Sequence, residues 1–110
     1  MRIEHLSTPI SEIEEKMILL SIVGILETLK RDCLQIDEAE KFLFSPRMIK
    51  ILKLRKCNDK IINLLKRGCE LEDIVSLIPE ELEKNINELK ESAMEVIKRY
   101  PEFVKTFWVD

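Results

Sequence analysis

The stretch that decides the fold is residues 17–26, MILLSIVGIL, which carry no charge and a single polar side chain, Ser21. Charged residues flank it at positions 14–16 and again at Glu27. At about 100° per residue, its apolar side chains cover nearly the whole circumference of a helix, whereas a surface helix shows one apolar stripe. The stretch therefore predicts a helix that is either the central element of the fold or shared with a second chain.

The length and composition of the chain predict one soluble domain, residues 1–110. With 45% hydrophobic and 35% charged residues, the chain can bury its own core and is too short for two domains. The apolar run is shorter than the about 20 residues that cross a bilayer, and no early apolar stretch indicates a signal peptide. Three cysteines without a CxxC pair are typical of reduced thiols, so we expect a cytoplasmic protein with no membrane partner.

Helix-start signals recur along the chain and predict an all-α fold. Residues 11–14, SEIE, form a capping box, in which a serine and a later glutamate satisfy the first free N–H groups of a helix. Further start signals are Pro9 after Thr8, Asp37, Pro46 after Ser45, Asn58 and Pro79. The predicted architecture is a compact bundle of two long helices, N- and C-terminal, with three or four short helices between them.

Two of these helices are predicted in more detail. The first runs over about residues 9–31, and Gly68 is expected to end an inner helix in the left-handed conformation. The last runs from Pro79 to Tyr100 and has an apolar seam at Leu82, Ile86, Leu89, Ala93, Val96 and Tyr100. This seam predicts a helix that packs along its neighbours in the bundle, with a two-chain coiled coil as the alternative.

A second pattern in the first helix predicts a close contact between helices. Met17, Ser21, Gly24 and Thr28 step by 4, 3 and 4 positions, so they share one helix face. The last three are small, and small side chains let two helix backbones approach each other. The face is either packed within one chain or crossed by its copy about a two-fold axis. Both alternatives stay open here, and a homodimer is the assembly that we predict.

The charges are distributed unevenly along the chain. Residues 45–67 carry eight basic side chains and one acidic one, although the whole chain has a net charge of -3. A basic middle between acidic ends favours ion pairs within the fold, and an anionic partner is the alternative. The acidity of the whole chain argues against a dedicated nucleic-acid-binding protein.

Nucleic-acid binding is nevertheless the alternative function. Residues 46–67 are predicted to form a helix, a short turn and a second helix, which resembles a helix-turn-helix in outline. The candidate contacts on the second helix are Lys60, Asn63, Lys66 and Arg67. Most of the other residues of this helix are large and apolar, whereas a recognition helix usually offers more polar side chains.

No set of residues indicates catalysis, and we predict a protein that is not an enzyme. A single histidine, His5, cannot complete a nucleophile–base set, and two isolated glycines cannot form a phosphate loop. Glu70, Glu72 and Asp73 lie where a helix begins, a position that favours carboxylates. They are also a candidate docking turn for a basic partner. We predict no catalytic residue, no metal ion and no cofactor.

The C-terminal segment, residues 101–110, is rich in aromatic side chains. It contains Phe103, Phe107 and Trp108. Large rings are rarely left in water at a chain end. We therefore expect this segment to fold back on the bundle of its own chain or of a partner.

Three motifs resemble those of a small bacterial family that is functionally uncharacterised. They are IDEAEK at residues 36–41, LFSP at 43–46, and GCELED at 68–73 followed by SLIP at 76–79. The resemblance covers about residues 15–97 and implies a one-domain cytoplasmic protein with no known activity. The leading hypothesis is therefore a non-enzymatic protein–protein interaction or regulatory module, whose protein partner is unidentified.

Overall fold

A computed structural model describes residues 8–104, and its regular elements are all helical. They are α1 (Glu12–Lys30), α2 (Ile36–Phe42), α3 (Pro46–Leu54), α4 (Asp59–Cys69), α5 (Leu71–Leu77) and α6 (Leu82–Ile97). A 3₁₀ turn, Pro79–Glu81, connects α5 to α6. No strand occurs between residues 8 and 104. The predicted all-α class is therefore confirmed.

The helix lengths are graded rather than divided into two classes. α1 has 19 residues, α6 has 16, α4 has 11 and α3 has 9, so four helices supply most of the bundle. The last helix is shorter than predicted because its start forms the 3₁₀ turn and its end lies at Ile97. The expected contrast between two long flanking helices and short inner ones is therefore not what the structure shows.

The helix starts follow the local signals in the sequence. Ser11 Oγ accepts a hydrogen bond from the Glu14 N–H at 3.1 Å, and the Glu14 carboxylate accepts one from the Ser11 N–H at 3.2 Å. This capping box is the true start of α1, three residues beyond Pro9. Ser45 caps α3 and Asn58 caps α4 in the same local way.

α1 and α3 end without a glycine. Asp32 and Lys56 adopt left-handed backbone angles, with φ of 59° and 60°. After α1, the Cys33 N–H donates to the Thr28 carbonyl at 2.8 Å, and the Asp32 N–H donates to Leu29. α3 ends with the same pair of bonds, which defines a Schellman motif. The chain thus reverses direction twice within short turns.

Gly68 does not end α4, and the prediction of a left-handed stop is wrong. The helix continues to Cys69, and no described glycine has a positive φ. A Cβ atom at Gly68 would instead lie 2.7 Å from the ring of Phe44, which is buried. Glycine is required at this position because an aromatic ring packs directly on the α4 backbone.

The core forms where α1, α4 and α6 meet. One side of α1 is buried, including Leu19, Ile22 and Leu26, which are each 0% exposed. α6 covers much of it with Ile86, Leu89 and Ala93, so the predicted seam packs within the bundle. An ion pair between Lys90 and Glu27 also joins α6 to α1.

The opposite side of α1 is not enclosed by the chain. Leu20 is 47% exposed and Ile13 is 49% exposed. Of the two alternatives for this helix, a central element enclosed by its own chain is not met at Ile13 and Leu20, and a helix shared with a second chain stays a prediction. The described helices include none that is long and apolar enough to cross a bilayer.

Candidate functional site

The predicted stripe of small residues lies open on the surface of α1. Met17 and Ser21 are half-buried, whereas Gly24 and Thr28 are exposed. No atom lies within 4 Å of a Cβ built on Gly24, and the Thr28 hydroxyl donates to the Gly24 carbonyl of its own helix at 2.9 Å. Within residues 8–104 no other element packs on Gly24, and the crossing of this face by a second copy stays a prediction.

Two large side chains extend this stripe into an apolar surface. Ile13, Met17, Leu20 and Gly24 step by 4, 3 and 4 positions and share one side of the helix. We call these four residues the outer face of α1. Sequence reasoning missed Leu20 because it treated the apolar run as covering the whole circumference of the helix, and it missed Ile13 because this residue precedes the run.

The chain beyond α6 returns to the start of α1. Lys16 Nζ donates a hydrogen bond to the Pro101 carbonyl at 2.8 Å and lies 4.6 Å from the centre of the Phe103 ring. The described part of the aromatic segment thus contacts α1, as expected. The predictions for Phe107 and Trp108 lie outside the described residues.

The acidic turn is exposed and is not neutralised. Glu70, Glu72 and Asp73 have no ion-pair partner among residues 8–104. A hydrogen bond with Glu72 is the main cause that raises the pKa of Glu40 on α2, and burial adds to it. Negative charges therefore crowd together at this end of the molecule.

The ion pairs within the fold that the charge distribution favours do not join the acidic turn to α4 in residues 8–104. Arg67 Nη1 donates instead to Ser92 Oγ on α6 at 3.2 Å. An ion pair between this turn and Lys66 or Arg67 does not occur in the described part of the chain. Leu77, at 77% exposure, and Ile78, at 44%, follow the acidic side chains on the surface.

Most cations of the basic middle segment also have no carboxylate partner among residues 8–104, contrary to our expectation of ion pairs within the fold. Of its eight cations, Arg55 is the one that forms an ion pair with a carboxylate of residues 8–104, that of Glu14. The candidate contacts Lys60, Asn63, Lys66 and Arg67 are all exposed. They lie on the side of α4 away from its buried residues, so the structure does bring them onto one helix face.

A shallow groove runs along α3. It has a volume of about 380 Å³ and is lined by Pro46, Ile49, Lys50, Lys53 and Leu54. Leu54 is 58% exposed. We call these five residues the α3 groove, and sequence reasoning did not identify it because Ile49 and Leu54 resemble ordinary core positions.

A buried polar cluster ties the start of α1 to two other elements. The Glu15 carboxylate accepts hydrogen bonds from the Asn58 N–H at 2.7 Å and from the Tyr100 hydroxyl at 3.0 Å. Burial and this hydrogen bond raise the pKa of Tyr100. Burial, with the nearby charge of Glu15, raises the pKa of the Cys57 thiol to about 12. Neither group can exchange protons readily near neutral pH.

This cluster was missed in the sequence, although a signal was present. Glu15 precedes Ile18, Leu19 and Ile22 at helical spacing, so it lies on the buried side of α1. The cluster borders a small pocket of about 230 Å³, whose rim includes Lys60 and Arg99. Every buried side-chain N or O atom that the structure describes has a hydrogen-bond partner. The hydrogen bonds of the cluster therefore hold the start of α1 against the start of α4 and the segment after α6.

No metal centre is found in the described region. Among residues 8–104, no three His, Cys, Asp or Glu side chains lie close enough together to hold a metal ion. Cys33 is exposed, Cys69 is half-buried, and Cys57 is buried, and all three are free thiols.

Comparison with known proteins identifies a family that the chain matches. Residues 10–110 match a family described as "Protein of unknown function (DUF3969)". No curated protein matches the chain, and no solved structure matches it. The match confirms the resemblance drawn from the three sequence motifs. It spans nearly the whole chain, which therefore belongs to this family of proteins of unknown function.

Proposed function

We propose that this protein is a non-enzymatic interaction module that forms a homodimer through the outer face of α1. The observation that supports this most is the open space above Gly24, on the same side of α1 as two half-exposed apolar side chains, Ile13 and Leu20. Apolar side chains on a surface helix normally face the core of their own chain. A partner surface would remove these side chains from water.

A two-fold crossing of two α1 helices fits the shape of this face. In such a dimer the same patch on both copies is self-complementary, so each outer face covers the other. Gly24 at the crossing would let the backbones approach, and Leu20 would pack beside it. Full burial of a leucine or isoleucine contributes about 1.5–3 kcal/mol, and about half of that is still available at Leu20 and Ile13.

The electrostatics of the buried polar cluster support a role without catalysis. A general acid or base works best when its pKa lies near the operating pH. The pKa values of Cys57 and Tyr100 are instead moved away from neutrality by burial. The hydrogen bonds of Glu15 are used to join helices.

The first test is the mass of the protein in solution. Sedimentation equilibrium at tens of micromolar and about 0.5 M salt, which screens contacts between charged surfaces, should give twice the chain mass of 13.0 kDa. Leu20→Glu should give a monomer, because it places a charge in the centre of the apolar contact. Phe42→Glu is the control, since Phe42 is 52% exposed and lies on α2, away from this face.

Two results would contradict the dimer. One is a monomeric natural chain at these concentrations. The other is a Leu20→Glu variant that keeps the mass of the natural chain while remaining folded by circular dichroism.

Nucleic-acid binding through α4 is the second candidate function. It is supported by the common exposed face of Lys60, Asn63, Lys66 and Arg67, together with the cations of the segment that form no ion pair within residues 8–104. Titration of labelled duplex DNA should then show an affinity that falls steeply with salt, with a slope of about -0.9 per phosphate contacted. Lys60→Glu with Lys66→Glu should abolish it, and the absence of binding at low salt would reject this function.

A further inference from the structure

We propose that the α3 groove of one copy of this protein binds the acidic, apolar end of α5 on a second copy. The second surface consists of Glu72, Asp73, Leu77, Ile78 and Glu80, and we call it the α5 knob. This contact uses neither Leu20 nor Gly24. It goes beyond the α1 dimer and does not depend on it.

The α3 groove combines an apolar floor with an unneutralised basic rim. Ile49 and Leu54 form much of the floor, and Lys50 and Lys53 stand beside them. Neither lysine has a carboxylate partner within ion-pair distance in the described part of the chain. The occupant that satisfies both features carries an aliphatic side chain flanked by negative charges.

The α5 knob has this chemistry. Residues 70–83 contain six acidic side chains and no basic one. Leu77 is 77% exposed, the highest value among the large hydrophobic residues of the helices. Asp73 precedes it by one helical turn, so the two side chains are neighbours on the surface.

The charges on the two surfaces are unlike and uncompensated. Negative side chains crowd together at the acidic end, and among residues 8–104 no cation lies within ion-pair distance of Glu72 or Asp73. Approach of Lys50 and Lys53 would relieve this repulsion and steer the two surfaces together. A groove of about 380 Å³ also has room for the Leu77 side chain.

A second copy fits the groove better than a nucleic acid does. Phosphates would neutralise Lys50 and Lys53 but would leave the aliphatic side chains of Ile49 and Leu54 uncovered. The knob covers both features at once. Because groove and knob are different surfaces, the contact is either made twice in a reciprocal pair or repeated from copy to copy.

The experiment compares self-association of charge-reversed variants by sedimentation velocity. The groove variant is Lys50→Glu with Lys53→Glu, and the knob variant is Asp73→Lys with Glu80→Lys. Each places like charges on both surfaces, so each alone should associate at least about 10-fold more weakly than the natural chain. An equimolar mixture should associate again, because every groove then meets a knob of opposite charge.

Salt separates this contact from the α1 dimer. Raising the salt concentration from about 0.05 M to about 0.5 M should weaken the groove–knob contact at least about 10-fold, since charged surfaces are screened. The apolar contact of α1 should persist at high salt. All measurements are repeated with Leu20→Glu, so that failure of one contact is distinguished from failure of the other.

The control is Lys30→Glu with Lys84→Glu, which changes the net charge as much as the groove variant does. Both lysines are exposed and form no ion pair in the described region. This control should associate as the natural chain does. The proposal is overturned if the mixture of groove and knob variants does not associate. It is also overturned if association of the Leu20→Glu chain is insensitive to salt, or if the groove variant in that background loses duplex DNA binding while its self-association is unchanged.

Discussion

Gly68→Ala should destabilise the fold by about 2 kcal/mol, although alanine is the better helix former. The added methyl group would lie 2.7–2.8 Å from three carbon atoms of the Phe44 ring. Phe44 is 1% exposed and has no open side toward which it can move. Overpacking costs about 1–3 kcal/mol, and contacts this short place the cost near its upper end, so about 2 kcal/mol remains after the gain of about 1 kcal/mol in helix propensity.

Gly24→Ala is the matched control and should have the opposite sign. No atom lies within 4 Å of its added methyl group, so the propensity gain is realised. We expect stabilisation by about 0.5–1 kcal/mol, because alanine loses less backbone entropy than glycine in a helix. Both substitutions thus make the same chemical change within a helix, and they differ only in what surrounds it.

Urea unfolding of the two variants in a Leu20→Glu background measures this difference without a contribution from dimerisation. The expected gap between the two midpoints is equivalent to about 3 kcal/mol, the sum of the two effects. If Gly68→Ala stabilised the protein as Gly24→Ala does, the Phe44 contact would not be the reason for glycine at this position.

The two glycines show what the sequence can and cannot predict. Helix starts depend on a side chain and a backbone group within three residues, so Ser11, Ser45 and Asn58 were identified correctly. The role of Gly68 depends on Phe44, which is far away in sequence and meets α4 only through the fold. From local signals alone, a left-handed stop was the natural prediction.

The candidate surfaces show the same difference between local features, which the sequence predicts, and contacts through the fold, which it does not. The candidate contacts Lys60, Asn63 and Arg67 step by 3 and 4 positions and share one face of α4, because periodicity along one helix is a local property. Whether these cations are neutralised depends on which carboxylates the packing brings near them. Within residues 8–104 it brings Glu14 to Arg55 and leaves the acidic turn unpaired. The opposite charges of the segments predicted pairing, and this prediction failed because the charges carry no information on the distances between side chains.

The ion pair of Arg55 with Glu14 should make the second large contribution to stability. Its two terminal nitrogens donate to the two Glu14 oxygens at 3.0 Å each, and Nε donates to the Thr8 carbonyl at 2.9 Å. The Arg55 side chain is 6% exposed and that of Glu14 is 32% exposed. This two-point geometry joins the end of α3 to the start of α1.

Arg55→Met should destabilise the fold by about 2 kcal/mol at pH 7. Methionine retains much of the buried stem but removes all three hydrogen bonds. Loss of one partner of a fully buried pair costs about 3–5 kcal/mol, and the figure here is lower because Glu14 is partly solvated. Arg31→Met is the control, since Arg31 pairs with Glu27 on the surface with 73% of its side chain exposed. Its loss should cost at most about 0.5 kcal/mol.

The pH dependence of the stability lost in Arg55→Met shows whether the ion pair with Glu14 is the cause. The hydrogen bond from Arg55 holds the pKa of Glu14 below its usual value of 4.5. A carboxyl group with a lowered pKa in the folded state stabilises the fold above its unfolded pKa. It loses that contribution as the pH falls through the folded value.

The difference in unfolding free energy between the natural chain and Arg55→Met should therefore become smaller as the pH falls below about 4.5, because Glu14 becomes protonated in both proteins. Urea unfolding at pH 7 and at successively lower pH measures the gap, and Arg31→Met corrects for general acid effects. If this difference in unfolding free energy were the same at every pH, the loss of stability would be due to the packing of the Arg55 stem. The ion pair would then not be what joins α3 to α1.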